Sequence, residues 1–371
     1  MEYVQERITT LHDLTDPVPD VDLGRATVVV PMTSRERGHE SVDRTFSVLE
    51  RTQPGRVIVP LRAPPRTAHD VFRWLSSYDL PLTVLWCNGP ELQTALTTAG
   101  LDGESGKGSD VWLALGVAAD ASEYVAVHDA DARDFSERNV SRLCWPLANG
   151  FAFSKGYYAR FERGRLYGRL FRLFVSPLLD ALRRAHDAPV IEYLDAFRYT
   201  LSGEFAMTDE MAQSIRSHRR WGLEIGTLGD AFDRAGFDGS AQVDLGVHRH
   251  DHRPVTGDGG LSSMADHVAG AIFTVVTERG VDPDYETLPD RYRKCAREVV
   301  RRYAADAAFN DLAFDVVDER EQIENYAGAI REPGCDDRLP TFREAPIDAK
   351  RVLGATRLDR ERLLAAGRPQ R

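Results

Sequence analysis

Short, continuous apolar runs that alternate with helix-like stretches leave this chain very few folds. Ala26-Thr27-Val28-Val29-Val30-Pro31-Met32 is the first such run, and residues 56–61, 82–87 and 124–128 repeat it. A strand buried on both faces has no polar side to present, so it reads as unbroken Val, Ile and Leu instead of alternating. Helical patterns fall between these runs, near 41–51, at 67–77, at 91–98, and from the glycine-rich loop 102–108 to about residue 120. Strands and helices in strict alternation wind into a doubly wound α/β sheet. Ligands of such a sheet collect beyond the C-terminal ends of its strands.

The pattern loosens after residue 136. A helix is predicted over 137–147, a strand over 150–158, a helix rich in Leu, Phe and Arg over 166–184, and an extended segment over 196–207. Another helix follows at 221–235, then an alternating strand over 241–250. Beyond residue 261 the pattern is helical, interrupted by Pro283, Pro289, Pro333 and Pro340. The expectation is a domain over 1–260 and a helical C-terminal extension over 261–371 that ends in a poorly ordered, arginine-rich tail. Residues 1–25 read as a short helix and a lead-in.

Composition narrows the class. With 42% hydrophobic and 28% charged residues over 371 positions, the chain reads as an ordinary globular protein with a sizeable core. A net charge of −11 lacks the basic face that a general nucleic-acid binder needs. No apolar run reaches membrane-spanning length, and the charged start of the chain lacks a signal-like apolar segment, so a soluble cytoplasmic protein is expected. Cys87, Cys144, Cys295 and Cys335 are widely spaced and predict reduced thiols. Of 47 basic residues only Lys107, Lys155, Lys294 and Lys350 are lysines. An acidic, lysine-poor surface suits a cytoplasm of high ionic strength, and a GC-rich genome would leave the same bias.

Four places carry candidate chemistry. Val125-Ala126-Val127-His128-Asp129-Ala130-Asp131 delivers two carboxylates at the end of an apolar strand. There a hard divalent cation finds oxygen ligands and keeps positions open for phosphate oxygens; a solvated acidic turn has the same sequence. Gly106-Lys107-Gly108 opens the preceding helix and matches either an anion site at a helix N-terminus or a flexible surface loop. His248-Arg249-His250-Asp251-His252 ends an alternating strand, so its three imidazoles share one side. They read as ligands for a transition metal or as a polar strand end. Glu204 and Glu224 each sit in an apolar frame with glycine, where a carboxylate must pair with arginine or meet a ligand.

Taken in order, these motifs resemble the glucosyl-3-phosphoglycerate synthases. The resemblance spans about 26–270 and includes Val30-Pro31, Gly106-Lys107-Gly108, Asp129-Ala130-Asp131, and Gly168-Arg169 ahead of Pro177-Leu178-Leu179. It continues through Leu201-Ser202-Gly203-Glu204, Gly222-Leu223-Glu224-Ile225-Gly226, and Gln242-Val243-Asp244-Leu245-Gly246-Val247 before His250. It implies a GT-A-like doubly wound mixed sheet with a C-terminal helical appendage. It also implies a retaining, metal-dependent transfer of a hexosyl group from a nucleotide sugar to 3-phosphoglycerate, towards a compatible solute. UDP-glucose is the favoured donor and GDP-mannose the alternative, with Mg2+ or Mn2+ as cofactor and a homodimer as the assembly.

Residue by residue, the resemblance implies that Pro31, Met32, Ser34, Gly106, Lys107 and Asp129 contact the donor. Asp131 and His250 would hold the metal, and Glu224, assisted by Lys107, would orient the donor sugar for transfer. Arg169 and His252 would receive the anionic acceptor, a role suited to the planar fork of a guanidinium. Front-face attack, with the leaving phosphate oxygen taking the acceptor's proton, requires no dedicated base. The chain departs from its relatives at Pro31-Met32-Thr33-Ser34-Arg35-Glu36, where members commonly carry Pro-Ala-Leu-Asn-Glu-Glu. It departs again at His248, at His252 and at Phe171, which replaces a small hydroxyl residue. Two further readings share these motifs: a nucleotidyltransferase, which would release pyrophosphate, and a non-catalytic nucleotide-sugar-binding protein.

Overall fold

The computed structural model describes residues 5–247, 249 and 261–366. In chain order the elements are β1 (Thr9–Leu11), β2 (Ala26–Val29), β3 (Met32–Thr33), α1 (Glu40–Thr52), β4 (Arg56–Arg62), α2 (Pro65–Leu75), β5 (Leu82–Trp86), α3 (Pro90–Thr98), α4 (Lys107–Ala119), β6 (Tyr124–Val127), α5 (Glu137–Ala148) and β7 (Phe153–Ala159). A small hairpin follows, β8 (Phe161–Glu162) with β9 (Arg165–Leu166). Then come α6 (Ser176–Arg183), α7 (Pro189–Ala196), β10 (Phe205–Thr208), α8 (Asp209–Ala212), α9 (Leu223–Arg234), β11 (Ser240–Val247), α10 (Leu261–Thr277), α11 (Leu288–Phe309), α12 (Val316–Ala327) and α13 (Ala349–Ala366).

The main sheet runs β1-β11-β7-β10-β6-β2-β4-β3, with β5 on the outer side of β4. Strands β2, β4, β5 and β6 are mutually parallel, as the alternating pattern required. The sheet becomes mixed at β10, which runs antiparallel to both β6 and β7. Each buried strand feeds both faces. Val57, Val59 and Leu61 of β4 pack on one side with α1, α2 and α5, while Ile58 packs on the other with α4. Strand β6 divides likewise, Tyr124 and Ala126 against Val125 and Val127. That division of alternate residues is why these strands lack a polar face.

The C-terminal helices share the larger of these cores. Helix α10 packs on α9, α11 on α6 and α12, and α13 on α3 and α4. No helix among the described residues is long and apolar enough to cross a membrane.

Three local expectations are corrected. The lead-in contains a strand, β1, which pairs in parallel with Ala241 to Val243 of β11; its identity comes from that pairing and not from any local periodicity. The helix expected over 166–184 starts later, because Leu166 pairs with Phe161 in the hairpin, and a π-helical stretch, Leu170–Val175, leads into α6. The segment over 196–207 is extended only from Phe205, since α7 continues to Ala196 and a series of turns fills the interval.

Candidate active site

Strand β6 ends at the sheet's C-terminal edge, where the His128 amide still bonds to the Val29 carbonyl (3.0 Å). His128 is buried, its ring edge-on to Phe135 at 4.3 Å and its Nδ1 2.9 Å from the Asp129 carbonyl oxygen. This plug fixes the backbone from which Asp129 and Asp131 emerge, both half-buried.

Asp129 meets Lys107, with 2.7 Å between Oδ1 and Nζ, and the same ammonium donates to Glu224 Oε1 at 3.0 Å. Three residues distant in sequence, from the first turns of α4 and α9 and the tip of β6, thus close on one charge cluster. Burial alone would depress the Lys107 ammonium, but the two carboxylates outweigh it and hold its pKa above the ordinary lysine value. Glu224 lies in the first turn of α9, where the helix dipole favours an anion.

Lys107 is aimed by its neighbours. Ser109 N donates to Arg219 O (3.0 Å), and Ser217 Oγ donates to the Gly108 carbonyl (3.0 Å). A Cβ on Gly108 would lie 1.8 Å from the His218 carbonyl oxygen, so this contact admits only glycine. A small depression opens beside this loop, between Arg62, Asp110, Gly103 and Arg219. Arg62 grips Asp110 with two nitrogens and ties the tip of β4 to α4.

The other expected donor residues lie along the same edge. Pro31 follows β2 half-buried, Met32 is buried within β3, and Ser34 N bonds to the Arg62 carbonyl (3.1 Å). Arg169 follows the β8–β9 hairpin and caps the π-helical stretch. Its guanidinium is held by Asp318 and by Glu319 (Nε to Oε1, 3.0 Å), both from α12, and Glu319 also binds Arg172.

His248, His250 and His252 lie outside the described residues. Arg249 is described: its amide and guanidinium bond to Asp134, and its carbonyl accepts from Arg133 N (2.8 Å). The end of β11 is therefore joined to the residues that follow Asp131. Among the described residues, no three His, Cys, Asp or Glu side chains are grouped as a cation site.

Two groups near the cluster were not anticipated. Arg160, just after β7, donates to the Tyr199 hydroxyl (3.4 Å) and feels the charge of Asp131. Lys155, within β7, is 1% exposed and donates to the Ser202 carbonyl at 2.7 Å. A basic residue inside a strand, such as Lys155, ordinarily reads as its solvent face, and Arg160 reads as a polar strand end.

No family model matches the chain. It is 34% identical over 392 residues to a glucosyl-3-phosphoglycerate synthase of Methanococcoides burtonii, covering 99% of this chain and 97% of that one. A second, from Persephonella marina, is 35% identical and covers 73% and 71%. The fold is similar to a crystal structure of glucosyl-3-phosphoglycerate synthase from Mycobacterium tuberculosis in complex with Mn2+, UDP and phosphoglyceric acid. The TM-score is 0.54 at 27% identity, covering 75% of this chain and 88% of that one.

Proposed function

The chain belongs to the glucosyl-3-phosphoglycerate synthase family, and from that premise we propose that it transfers glucose from UDP-glucose to 3-phosphoglycerate, retaining the anomeric configuration. The observation that carries the reading is Lys107 spanning Asp129 and Glu224 at the C-terminal edge of the sheet, two residues from Asp131. An ammonium between two carboxylates holds both in place and leaves each with lone pairs free to accept from hydroxyl groups. Asp129 accepts from the donor's ribose and sugar, and Glu224 accepts from the hexose and orients it. Lys107 adds positive charge beside the leaving diphosphate.

The residues present fit a magnesium or manganese ion. Such a cation takes one or two carboxylates from the protein and completes its shell with phosphate oxygens and water, and Asp131, two residues past Asp129, would be the carboxylate that holds it. The junction of Arg249 with Arg133 and Asp134 supports His250 as the second ligand. When bound, the ion supplies neutralisation of the charge that grows on the diphosphate.

Arg169, with His252, receives the acceptor. Buried Glu319 keeps the guanidinium oriented, while exposed Asp318 occupies the place of an anion that phosphoglycerate's carboxylate or phosphate would take. The acceptor hydroxyl passes its proton to the departing phosphate oxygen, so no side chain serves as base. Assembly as a homodimer is part of the same reading.

The test incubates the protein with UDP-glucose, 3-phosphoglycerate and Mg2+ or Mn2+, with GDP-mannose in a parallel arm, and detects products by mass spectrometry. UDP and a glucosylated phosphoglycerate are expected, and chelation should stop their formation. Asp131→Ala should lose at least about 100-fold in kcat with an unchanged melting temperature. Wild-type turnover by that variant, or no UDP released with any acceptor, sinks the reading.

A further inference from the structure

Lys155 is a charge in a place where folds seldom tolerate one. Its side chain is buried in the middle strands of the sheet, where Lys155 pairs with Phe205 of β10 on one side and Gln242 of β11 on the other. An ammonium carries three N–H donors, and among the described residues this one makes a single hydrogen bond, to the Ser202 carbonyl, with the Phe205 ring 5.4 Å from Nζ. Burying a charge so sparsely bonded is expensive, and an apolar side chain of the same length would ordinarily be as stable or more so. Only four lysines occur in the chain, which makes arginine its default cation. A guanidinium is too large and too forked for a single carbonyl in a packed interior.

What that hydrogen bond holds is the turn at residues 202–204. The turn is stiffened from within: Ser202 Oγ donates to Glu204 Oε2 (3.0 Å) and accepts from Glu204 N (3.1 Å). Glu204 O accepts from Gly156 N (2.8 Å), the residue after Lys155, so one strand grips the turn twice. The turn in turn backs the charge cluster. A Cβ on Gly203 would lie 2.3 Å from Asp129 Oδ2, so the Asp129 carboxylate rests directly on the Gly203 backbone. Burial weighs most on the Lys155 charge; Glu224, Glu204 and Asp129 offset only part of it, and Lys107 adds to the cost.

We propose that Lys155 is a positioning residue for glycosyl transfer: it pins the Ser202 carbonyl, and the pinned turn seats the Asp129 carboxylate against Lys107. The proposal rests on the reading that Asp129 faces the nucleotide sugar. It makes two chemically unlike substitutions equivalent. Lys155→Met frees the turn, and Gly203→Ala pushes a methyl group into the Asp129 carboxylate. Both act through one side chain, so their effects overlap instead of multiplying.

The experiment measures steady-state kinetics for both substrates in Lys155→Met, Gly203→Ala and the double variant, with melting curves for each. Each single variant should lose at least tenfold in kcat/KM for UDP-glucose while KM for 3-phosphoglycerate stays within twofold of wild type. The double variant should be no worse than the poorer single one. Donor kinetics unchanged in folded Lys155→Met, losses that multiply, or losses shared equally by both substrates would each overturn the proposal. Should Lys155→Met not fold, Lys155→Arg decides: its larger head displaces the turn and must lower donor kcat/KM at least fivefold without moving the acceptor KM. If wild-type protein releases no glucosylated phosphoglycerate, the acceptor reading fails alone, and the same variants are read by calorimetry. There each single variant must weaken UDP-glucose binding with Mn2+, and the double variant must weaken it no further.

Discussion

Two lysines set among the same carboxylates show how contact decides a charge. Lys107 touches Asp129 at 2.7 Å and Glu224 at 3.0 Å, and these contacts overcome burial and raise its pKa. Lys155 touches one neutral carbonyl, and its carboxylate neighbours act without a hydrogen bond, so burial prevails and pulls it down to about 8. The consequence for stability has a definite sign. The folded chain gives up this proton near 8, while in the unfolded chain an ordinary lysine keeps it to about 10.4. Between those values the unfolded state binds more protons, so this site's contribution to stability rises with pH. Lys155→Met titrates nothing there, and wild type should gain stability relative to it from pH 8 to 10 in urea unfolding. A difference that stays flat across that range would mean burial does not govern Lys155. Lys107 and Glu224 were legible in the sequence because glycines frame both. Lys155 was not, because Phe153-Ser154-Lys155-Gly156 looks like any strand with a wet side. The partners of Arg169 were equally hidden, since Asp318 and Glu319 are about 150 residues away in the chain.

Elements were legible in proportion to how far their own residues determine them. Strands β2, β4 and β6 are buried on both faces and must be written in apolar residues; β4, β5 and β6 fall within a residue of the runs at 56–61, 82–87 and 124–128, whereas the run from Ala26 to Met32 divides into β2, which stops at Val29, and β3. Strand β1 depends on partners more than 230 positions away, including Gln242, whose amide donates to Thr10 Oγ1 (2.9 Å). The turns before β10 contain Phe197, Tyr199 and Leu201, whose apolar character reads as extended chain although turns place them. The junction of α4 with the segment before α9 gives a test at this scale. Gly108 meets the His218 carbonyl, a backbone atom that cannot swing aside as a side-chain tip would. Gly108→Ala must therefore move the start of α4, at a cost of about 1–3 kcal/mol for overpacking. Because Lys107 is the preceding residue, donor binding should weaken with it. Chemical denaturation and UDP-glucose titration check the two halves, and unchanged stability would show that α4 slides without resistance.

At the scale of the whole molecule, the C-terminal helices complete what the first half leaves open. Helix α3 begins after Gly89, which has no side chain to satisfy the free amides of its first turn. The acceptor comes from α13: Asp359 Oδ1 takes the Glu91 amide (2.8 Å) and Oδ2 the Leu92 amide (3.0 Å), across some 268 positions of sequence. Asp359 is buried and Arg362 pairs with Glu91 beside it, so the last helix acts as the cap of an early one. Val352 and Ala355 of α13 join the same core as Leu92 and Ala95 of α3. A helix that both caps and covers the early α/β units cannot be detached without exposing them. Asp359→Ala should cost about 1–2 kcal/mol, the usual loss for an N-cap, and Asp359→Asn should recover much of it, because an amide oxygen still accepts one of the two bonds. Removal of residues 349–371 should cost far more, since it adds the bared apolar face of α3 to the lost cap. Melting curves of the three variants order these effects. A truncated chain that melts with wild type would mean that α13 rides on the molecule without holding it, and that the interlock between its two ends has no energetic content.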